Sequence, residues 1–296
     1  MKKNTVKIIS AVLVSLVCFG AITSLLRGRS ETQTPTPEQP QVEIKTINEE
    51  CEGASGAFHL KWSGEKELNV SEEDITYLGS ETVESITLEG GTINVTGDEL
   101  GVIQAENGGT LTFKDVKIKD TTANDQRVAY CNYIRFGGKL RFENCTIDSI
   151  YLKNDAQAEF IDCTFISSNE QWYSVWIADG SAQFEGCIFN GYRGIKIDEI
   201  AKEDVLDVSI NGCIFERITE KPGVVIGKLL GNAANTTISI TNNRFVNCRE
   251  WDLVGSAEGI DGIYESDILT SEINFVLENN HVEYDSTGFV DWSGCY

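Results

Sequence analysis

The chain contains 296 residues, and its 46 acidic and 24 basic residues give it a formal net charge of −22 at pH 7. Such an acidic chain repels nucleic acid and anionic membrane surfaces, so we exclude nucleic-acid binding. Apolar residues make up 41% of the sequence, enough for a sizeable core in one large domain or two small ones. The excess of carboxylates is compatible with a calcium site, although it more often reflects a solvated surface, and no cofactor is otherwise indicated.

The N-terminus has the pattern of a membrane-targeting segment. A basic start, MKKNTVK, precedes 19 residues without a charge at 8–26. This length is enough to span a bilayer as one helix, and basic residues before such a helix are typical of the cytoplasmic side. We therefore predict a single-pass signal-anchor over 1–29 at the cell membrane, with the rest of the chain outside the cytoplasm. The alternative is a cleaved signal peptide and a secreted protein.

The next segment has the composition of a linker. Three of the four prolines lie within 27–43, among Thr, Gln and Glu and without a large apolar cluster. We predict a disordered stalk over 30–50 that lifts a domain spanning 51–296 away from the membrane.

A six-residue phrase recurs along this domain. It consists of an apolar residue, any residue, Asp, Asn or Gly, a small residue or Cys, any residue, and an apolar residue. The copies are LEGGTI (88–93), FKDVKI (113–118), FENCTI (142–147), FIDCTF (160–165), FEGCIF (184–189), INGCIF (210–215), ITNNRF (240–245) and LENNHV (277–282). Their residues are typical of strands and turns, and amphipathic helical windows are absent after residue 50.

A repeated strand-and-turn unit that cannot bury its apolar side alone predicts a solenoid of stacked coils. The variable spacing between copies favours a right-handed coil with loops of free length. We therefore predict an all-β fold, a single-stranded right-handed parallel β-helix of about eight coils after the N-terminal helix. An up-and-down barrel or a sandwich is the alternative fold, but neither accounts for the repeated phrase.

Over roughly 55–285 the phrase resembles that of the right-handed parallel β-helix, or pectate-lyase-like, superfamily, without matching a specific enzyme family. The resemblance implies a fold more strongly than a function. The superfamily includes polysaccharide lyases, glycoside hydrolases, phage tailspikes and surface adhesins.

Four of the nine cysteines occupy the same position in consecutive copies, namely Cys145, Cys163, Cys187 and Cys213. Stacked coils predict a ladder of buried free thiols, because cysteine packs as a small apolar residue. Disulfides between coils would be strained, and a straight column lacks the tetrahedral geometry of zinc. A nucleophilic role needs an activating group, and both histidines are distant in sequence. The sequence leaves open whether Cys51, Cys131, Cys248 and Cys295 form disulfides, and between which of them.

The residue before this position is often Asn or Asp, at Asn144, Asp162, Asn242 and Asn279. These residue types tolerate tight-turn geometry and share hydrogen bonds along a stack. We predict structural turns here in preference to ligand sites.

The strands before the phrase offer a candidate binding face. Their alternation places these pairs inward: Ile134 and Phe136, Ile150 and Leu152, Val175 and Ile177, and Ile195 and Ile197. We predict a first outward column of Tyr133, Tyr151, Trp176 and Lys196 and a second of Arg135, Lys153, Ala178 and Asp198. Flat aromatic faces suit sugar rings and cations suit their acidic groups, so the pattern predicts an elongated glycan site, with acidic polysaccharide as the ligand class. The competing interpretation is a face covered by loops, with the aromatic residues packed beneath them.

The resemblance also implies an enzymatic alternative on this face. Lyases of the superfamily use calcium-binding acids and an arginine base, roles for which Arg135 or Arg193 with Asp179 or Asp198 are the candidates. SVWIADG departs from the lyase W-I-D-H phrase at Ala178 and Asp179, and the hydrolase G-H-G motif is absent. We therefore predict binding rather than catalysis, with a lyase, a hydrolase or a protein-binding adhesin as alternatives.

Overall fold

A computed structural model of the protein describes residues 45–70, 75–97, 101–120, 134–167, 173–178, 180–197, 207–218, 223–226, 236–248, 254–255 and 274–283. All of these residues belong to the compact unit Glu43–Tyr296. The predicted anchor at 1–29 and residues 30–44 of the predicted stalk (30–50) lie outside the described residues. So do Tyr133, Asp179, Asp198, Cys131 and Cys295. The end of the predicted stalk is wrong, since Ile47–Cys51 form a helix in which Ile47 is fully buried.

The secondary structure consists almost entirely of short strands. In chain order the first elements are α1 (Ile47–Cys51), β1 (Gly56–Lys61), β2 (Glu65–Val70), β3 (Ile75–Leu78), β4 (Val83–Glu89), β5 (Thr92–Gly97), β6 (Val102–Ala105), a 3-10 turn (Glu106–Gly108), β7 (Thr110–Lys114), β8 (Lys117–Asp120) and β9 (Ile134–Phe136). They continue as β10 (Lys139–Glu143), β11 (Thr146–Ile147), β12 (Ile150–Leu152), β13 (Ala156–Ile161), β14 (Thr164–Ser167), β15 (Val175–Ile177), β16 (Gly180–Glu185), β17 (Ile188–Gly191) and β18 (Ile195–Ile197). The last elements are β19 (Asp207–Asn211), β20 (Ile214–Glu216), β21 (Val224–Ile226), β22 (Thr237–Thr241), β23 (Arg244–Val246), β24 (Val254–Gly255), β25 (Asn274–Glu278) and β26 (His281–Glu283).

The strands form three parallel sheets, A, B and C. Consecutive strands along the chain belong to sheets A, B and C in turn. Sheet A has the order β1-β4-β7-β10-β13-β16-β19-β22-β25, and sheet B has the order β2-β5-β8-β11-β14-β17-β20-β23-β26. Sheet C contains the remaining eight strands, from β3 to β24. The predicted right-handed parallel β-helix is therefore confirmed. The predicted number of about eight coils stays a prediction, since several connections between strands lie outside the described residues.

Each copy of the phrase forms the end of a strand of sheet A, a two-residue corner and the start of a strand of sheet B. The first corner residue has a positive φ of 52° to 64° at Asp115, Asn144, Asp162, Gly186, Gly212, Asn242 and Asn279. Gly, Asn and Asp adopt this left-handed conformation most readily. Asn144 Nδ2 donates to Asp115 Oδ1 of the preceding coil at 2.6 Å, so the corner side chains also support one another. The predicted structural turns are confirmed.

The interior is a column of stacked rings and aliphatic side chains. Phe113, Phe142, Phe160 and Phe184 on sheet A stack in parallel with centroids 4.7 to 4.8 Å apart. A second stack on sheet B contains Phe165, Phe189, Phe215 and Phe245, with centroids 4.6 Å apart. Because each ring is buried, each contributes about 1.5–3 kcal/mol of hydrophobic stabilisation. The repeat therefore encodes both the strand order and the core.

The helix α1 lies against the first coil. Ile47 and Cys51 are fully buried, and Thr46 closes a capping box with Glu49. The Asn48 side chain accepts a hydrogen bond from Asn69 N at 2.8 Å and donates one to Asn69 O at 2.9 Å. These two bonds satisfy the backbone N–H and C=O of Asn69 on β2, the first strand of sheet B. Exposed strand edges invite pairing with other chains, and this contact protects one of them. Within the described part of the chain, no helix has the length and apolar character needed to cross a membrane.

Candidate functional site

The candidate binding face lies on sheet C, where four neighbouring strands are in register. Arg135 on β9 pairs with Tyr151 on β12, Tyr151 with Trp176 on β15, and Trp176 with Lys196 on β18. The residues on either side of each position point inward as predicted and are at most 1% exposed. A single outward column of two cations and two aromatic rings results.

The register corrects one assignment made from the sequence. The sequence pattern predicts Arg135 in the second column and Tyr133 beside Tyr151, but Arg135 is the residue that pairs with Tyr151. The physical reason is the alternation itself, because the one outward residue between the inward Ile134 and Phe136 is Arg135. Tyr133 lies outside the described residues.

The second predicted column keeps two of its members. Lys153 and Ala178 each directly follow a paired residue, after Leu152 and Ile177 respectively. Lys153 is exposed, whereas Ala178 is 5% exposed. Asp198, predicted to continue this column, lies outside the described residues. Lys153 is therefore the accessible cation of the second column.

Along the first column the two rings are neighbours, and one cation lies against each of them. Arg135 Cζ lies 5.3 Å from the centroid of Tyr151, the Tyr151 and Trp176 centroids are 5.2 Å apart at a tilt of 55°, and Lys196 Nζ lies 4.0 Å from the Trp176 centroid. Cations over aromatic faces are attracted by the ring quadrupole, which contributes about 0.5–2 kcal/mol according to exposure. The side chains of the first column thus pack against one another on the outside of sheet C.

The members of the column differ in accessibility. Tyr151 is 9% exposed, while Arg135, Trp176 and Lys196 are half-buried. A ring needs an open face to stack on a sugar, so Trp176 is the better placed of the two rings for ligand contact. The first column is therefore partly covered and partly open to solvent, and the glycan site stays a prediction.

Sequence reasoning missed a third ring beside the column. Tyr173 is 6% exposed, and its ring lies 5.4 Å from Arg193 Cζ and 5.9 Å from Lys196 Nζ. The Ser174 hydroxyl donates to Arg193 O at 2.8 Å, which joins the approaches to β15 and β18. Tyr173 lies before the start of β15, where the inward and outward alternation of a strand does not predict the direction of a side chain. The signal in the sequence that could have indicated it is its position directly before the segment SVWIA.

The weak catalytic candidates are not brought together by the described residues. Arg135 and Arg193 lie against different rings, and Asp179 and Asp198 lie outside the described residues. Within the described ranges, no three His, Cys, Asp or Glu side chains are grouped to hold a metal ion. The enzymatic alternative and the calcium site stay predictions.

The cysteine ladder has the expected arrangement. Cys145, Cys163, Cys187 and Cys213 are free thiols, each at most 1% exposed, and the off-ladder Cys51 and Cys248 are free and buried as well. Hydrogen bonding within the ladder, together with burial, raises the pKa of Cys145 and Cys187. Hydrogen bonds from these two neighbours lower the pKa of Cys163, which lies between them. His59 and His281 are on the outside of the solenoid, so neither can activate these thiols.

A second surface, on the outside of sheet A, was not anticipated from the sequence. A cavity of about 370 Å³ is lined mainly by polar side chains of β7, β10, β13 and β16, among them Lys139, Arg141, Gln157 and Gln183. Arg141 Nε donates to Glu143 at 2.6 Å, and its guanidinium also pairs with Glu159, so its charge is balanced within the protein. This surface is polar but lacks the aromatic faces of sheet C.

The fold and the column together define a right-handed parallel β-helix protein with a mixed aromatic and basic face. Comparisons with protein-family models, curated proteins and solved structures gave no significant match. The resemblance to the pectate-lyase-like superfamily therefore rests on the repeated phrase and the fold.

Proposed function

We propose that this protein is a membrane-tethered, extracytoplasmic β-helix that binds an acidic polysaccharide along sheet C. The observation that carries the proposal is the register that aligns Arg135, Tyr151, Trp176 and Lys196 on one outward column. The tether is the predicted anchor at 8–26, and secretion after cleavage is the alternative.

The residue types suit a chain of acidic sugars. Trp176 offers a flat, half-buried face for a sugar ring, and its Lys196 neighbour offers a charge for a carboxylate or sulfate group. Lys153 adds an exposed cation one column away. These bases stand out in a chain with 46 acidic residues, which elsewhere repels anionic ligands.

The six ligand-binding candidates take different roles in this proposal. Trp176, Lys153 and Lys196 contact the ligand, and Arg135 adds a cation at the other end of the first column. Tyr133, the sixth candidate, lies outside the described residues. Tyr151, being 9% exposed, supports the Trp176 ring from the neighbouring strand. A glycan laid across the strands then meets one side chain per coil, about 4.8 Å apart.

A glycan array provides the direct test. Wild-type protein should bind acidic oligosaccharides, and Trp176→Ala should weaken this binding at least tenfold. Ile188→Ala is the matched control, because Ile188 is an apolar side chain, 37% exposed, on sheet B. Absence of glycan binding by the wild type, or equal binding by both variants, would show the proposal to be wrong.

Two further measurements separate the alternatives. Salt should weaken binding if charge pairing contributes, and Lys196→Met should reduce that salt dependence more than Lys119→Met on sheet B. Unsaturated uronide absorbance after incubation with pectin or alginate, dependent on calcium and Arg135, would instead favour a polysaccharide lyase. Binding to protein partners but no glycan would favour the adhesin alternative.

A further inference from the structure

The four ladder cysteines form a straight row of sulphur atoms under one corner of the solenoid. Each directly precedes a strand of sheet B, and those strands pair in register through Thr146, Thr164, Ile188 and Ile214. The backbone continues the register, because Thr164 N donates to Cys145 O and Ile188 N donates to Cys163 O, both at 2.8 Å. Neighbouring thiols therefore stand one strand spacing apart, about 4.8 Å.

The thiols are unpaired and adjacent in the row. All four are free and buried, and Cys163 lies between Cys145 and Cys187 in the strand register. Cys163 Sγ also lies 3.5 Å from Phe142 O and 3.4 Å from Ile161 O, so backbone carbonyls surround the row. The row therefore lies within the apolar core, with backbone carbonyls as its polar neighbours.

This geometry excludes some metals and suits others. Zinc requires four ligands around one point, and in the described ranges no group of three or more His, Cys, Asp or Glu is so arranged. A soft ion with two-coordinate, linear geometry requires only two neighbouring sulphur atoms, one on either side of it. Thiol ligands select Cu(I) among the biological metals. We propose that neighbouring rungs of the ladder bind Cu(I) between two sulphur atoms, with Cys163 as the shared ligand.

The binding step balances without an oxidant or a reductant. One thiol releases its proton to solvent, and a sulphur lone pair of the resulting thiolate forms the first bond to Cu(I). The second thiol keeps its proton and donates a lone pair to form the second bond. The thiolate cancels the charge of the ion, so the pair is neutral and avoids the large cost of burying a net charge.

The row is close to the surface despite its burial. The corner residues directly before Cys163, Cys187 and Cys213 are Asp162, Gly186 and Gly212, and all three are exposed. Each of these three cysteines is therefore one residue away from an exposed position in the chain. Local opening of a corner, rather than unfolding of the solenoid, is then sufficient for entry of the ion.

The test is an anaerobic titration of the full-length protein with Cu(I), supplied as its acetonitrile complex. The readouts are the ultraviolet thiolate-to-Cu(I) charge-transfer band and the number of ions bound in native mass spectrometry. Wild type should bind Cu(I), the double variant Cys163→Ser/Cys187→Ser should bind at least tenfold more weakly because it retains no two neighbouring rungs, and Cys248→Ser should match wild type. Cys248 is the control because it is buried but outside the row. Equal binding by wild type and the double variant would overturn the proposal.

A second measurement does not depend on how a variant folds. Native wild-type protein is alkylated with iodoacetamide, and mass spectrometry identifies the four ladder cysteines that remain unmodified. Undiminished Cu(I) binding by this protein supports the ladder site. Loss of binding would assign the copper to accessible cysteines instead, and a disulfide between ladder rungs in the purified protein would also refute the proposal.

Discussion

Lys196 Nζ lies 4.0 Å from the ring centroid of Trp176, on the neighbouring strand of sheet C. The two side chains are directly paired in the register, so their contact follows from the stacking of two coils. Both residues are half-buried, so their contact lies at the boundary between the packed face of sheet C and the solvent. It therefore contributes to stability and to the proposed binding site alike.

A double-mutant cycle should detect this contact. We expect Lys196→Met, Trp176→Leu and the double variant to reveal a coupling free energy of roughly 0.5–2 kcal/mol, the range for a partly desolvated cation over Trp. The measurement is the free energy of unfolding in urea. Lys119→Met combined with Ile188→Ala, on sheet B, is the control and should be additive. Additive effects of the two sheet C changes would contradict the predicted coupling.

The phenylalanine stacks predict a strong size dependence in the core. Phe160 is fully buried, with ring centroids of Phe142 and Phe184 at 4.8 and 4.7 Å. We expect Phe160→Ala to lower the free energy of unfolding by about 3–5 kcal/mol, because it leaves a cavity between two rings. Phe160→Leu keeps most of the volume and should cost clearly less. Equal losses in urea denaturation would argue against a packed stack.

The corner residues predict an unusual order of two small substitutions. Asn144 has a φ of 52° and donates to Asp115. Asn144→Gly loses the hydrogen bond but keeps a residue that adopts the left-handed region readily. Asn144→Ala loses the same bond and also pays the steric cost of a Cβ in that region without the polar side chain that lets Asn adopt it, about 1–2 kcal/mol. The glycine variant should therefore be the more stable of the two in thermal and urea unfolding. The reverse order would show that this corner does not require a left-handed residue.

The buried thiols predict a loss of stability at alkaline pH. Burial raises the pKa of Cys248 from 9.0 to about 11. Above pH 9 the unfolded chain releases this proton while the native state retains it, so the contribution is full below pH 9 and declines between about pH 9 and 11. Two pKa units correspond to roughly 3 kcal/mol.

The matched comparison for this pH effect is Cys248→Ala. Urea unfolding at pH 8, 9 and 10 should show a steeper decline for wild type than for the variant, since other titrating groups are common to both. Parallel profiles would mean that Cys248 does not hold a raised pKa in the native state.

Much of the fold was predictable from the sequence because the repeat is local. The phrase FENCTI already contains a strand, a left-handed corner and a second strand, and copies with the same pattern must stack to bury Phe142 and its equivalents. The inward pairs of sheet C followed from alternation in the same way. The position of Cys145 in that phrase was enough to predict a ladder rung.

The candidate site was less predictable, as Arg135 and Tyr173 illustrate. Both belong to the region where a loop leads into a strand of sheet C, and there the sequence contains no repeated phrase to set the register. The polar surface with Lys139 and Gln157 was also missed, since single polar residues on alternating strands give no sign of a shared cavity.

The sequence by itself determined the coil, its corners and the thiol ladder, because these depend on residues adjacent in the chain and on a pattern that each coil repeats. Only the tertiary structure decided which side chains share the outward column and how open each is. Pairing Arg135 with Tyr151, and leaving Tyr151 buried while Trp176 stays half-exposed, depends on contacts between residues distant in the chain. Solvent exposure belongs to the packed molecule, and a local pattern does not encode it.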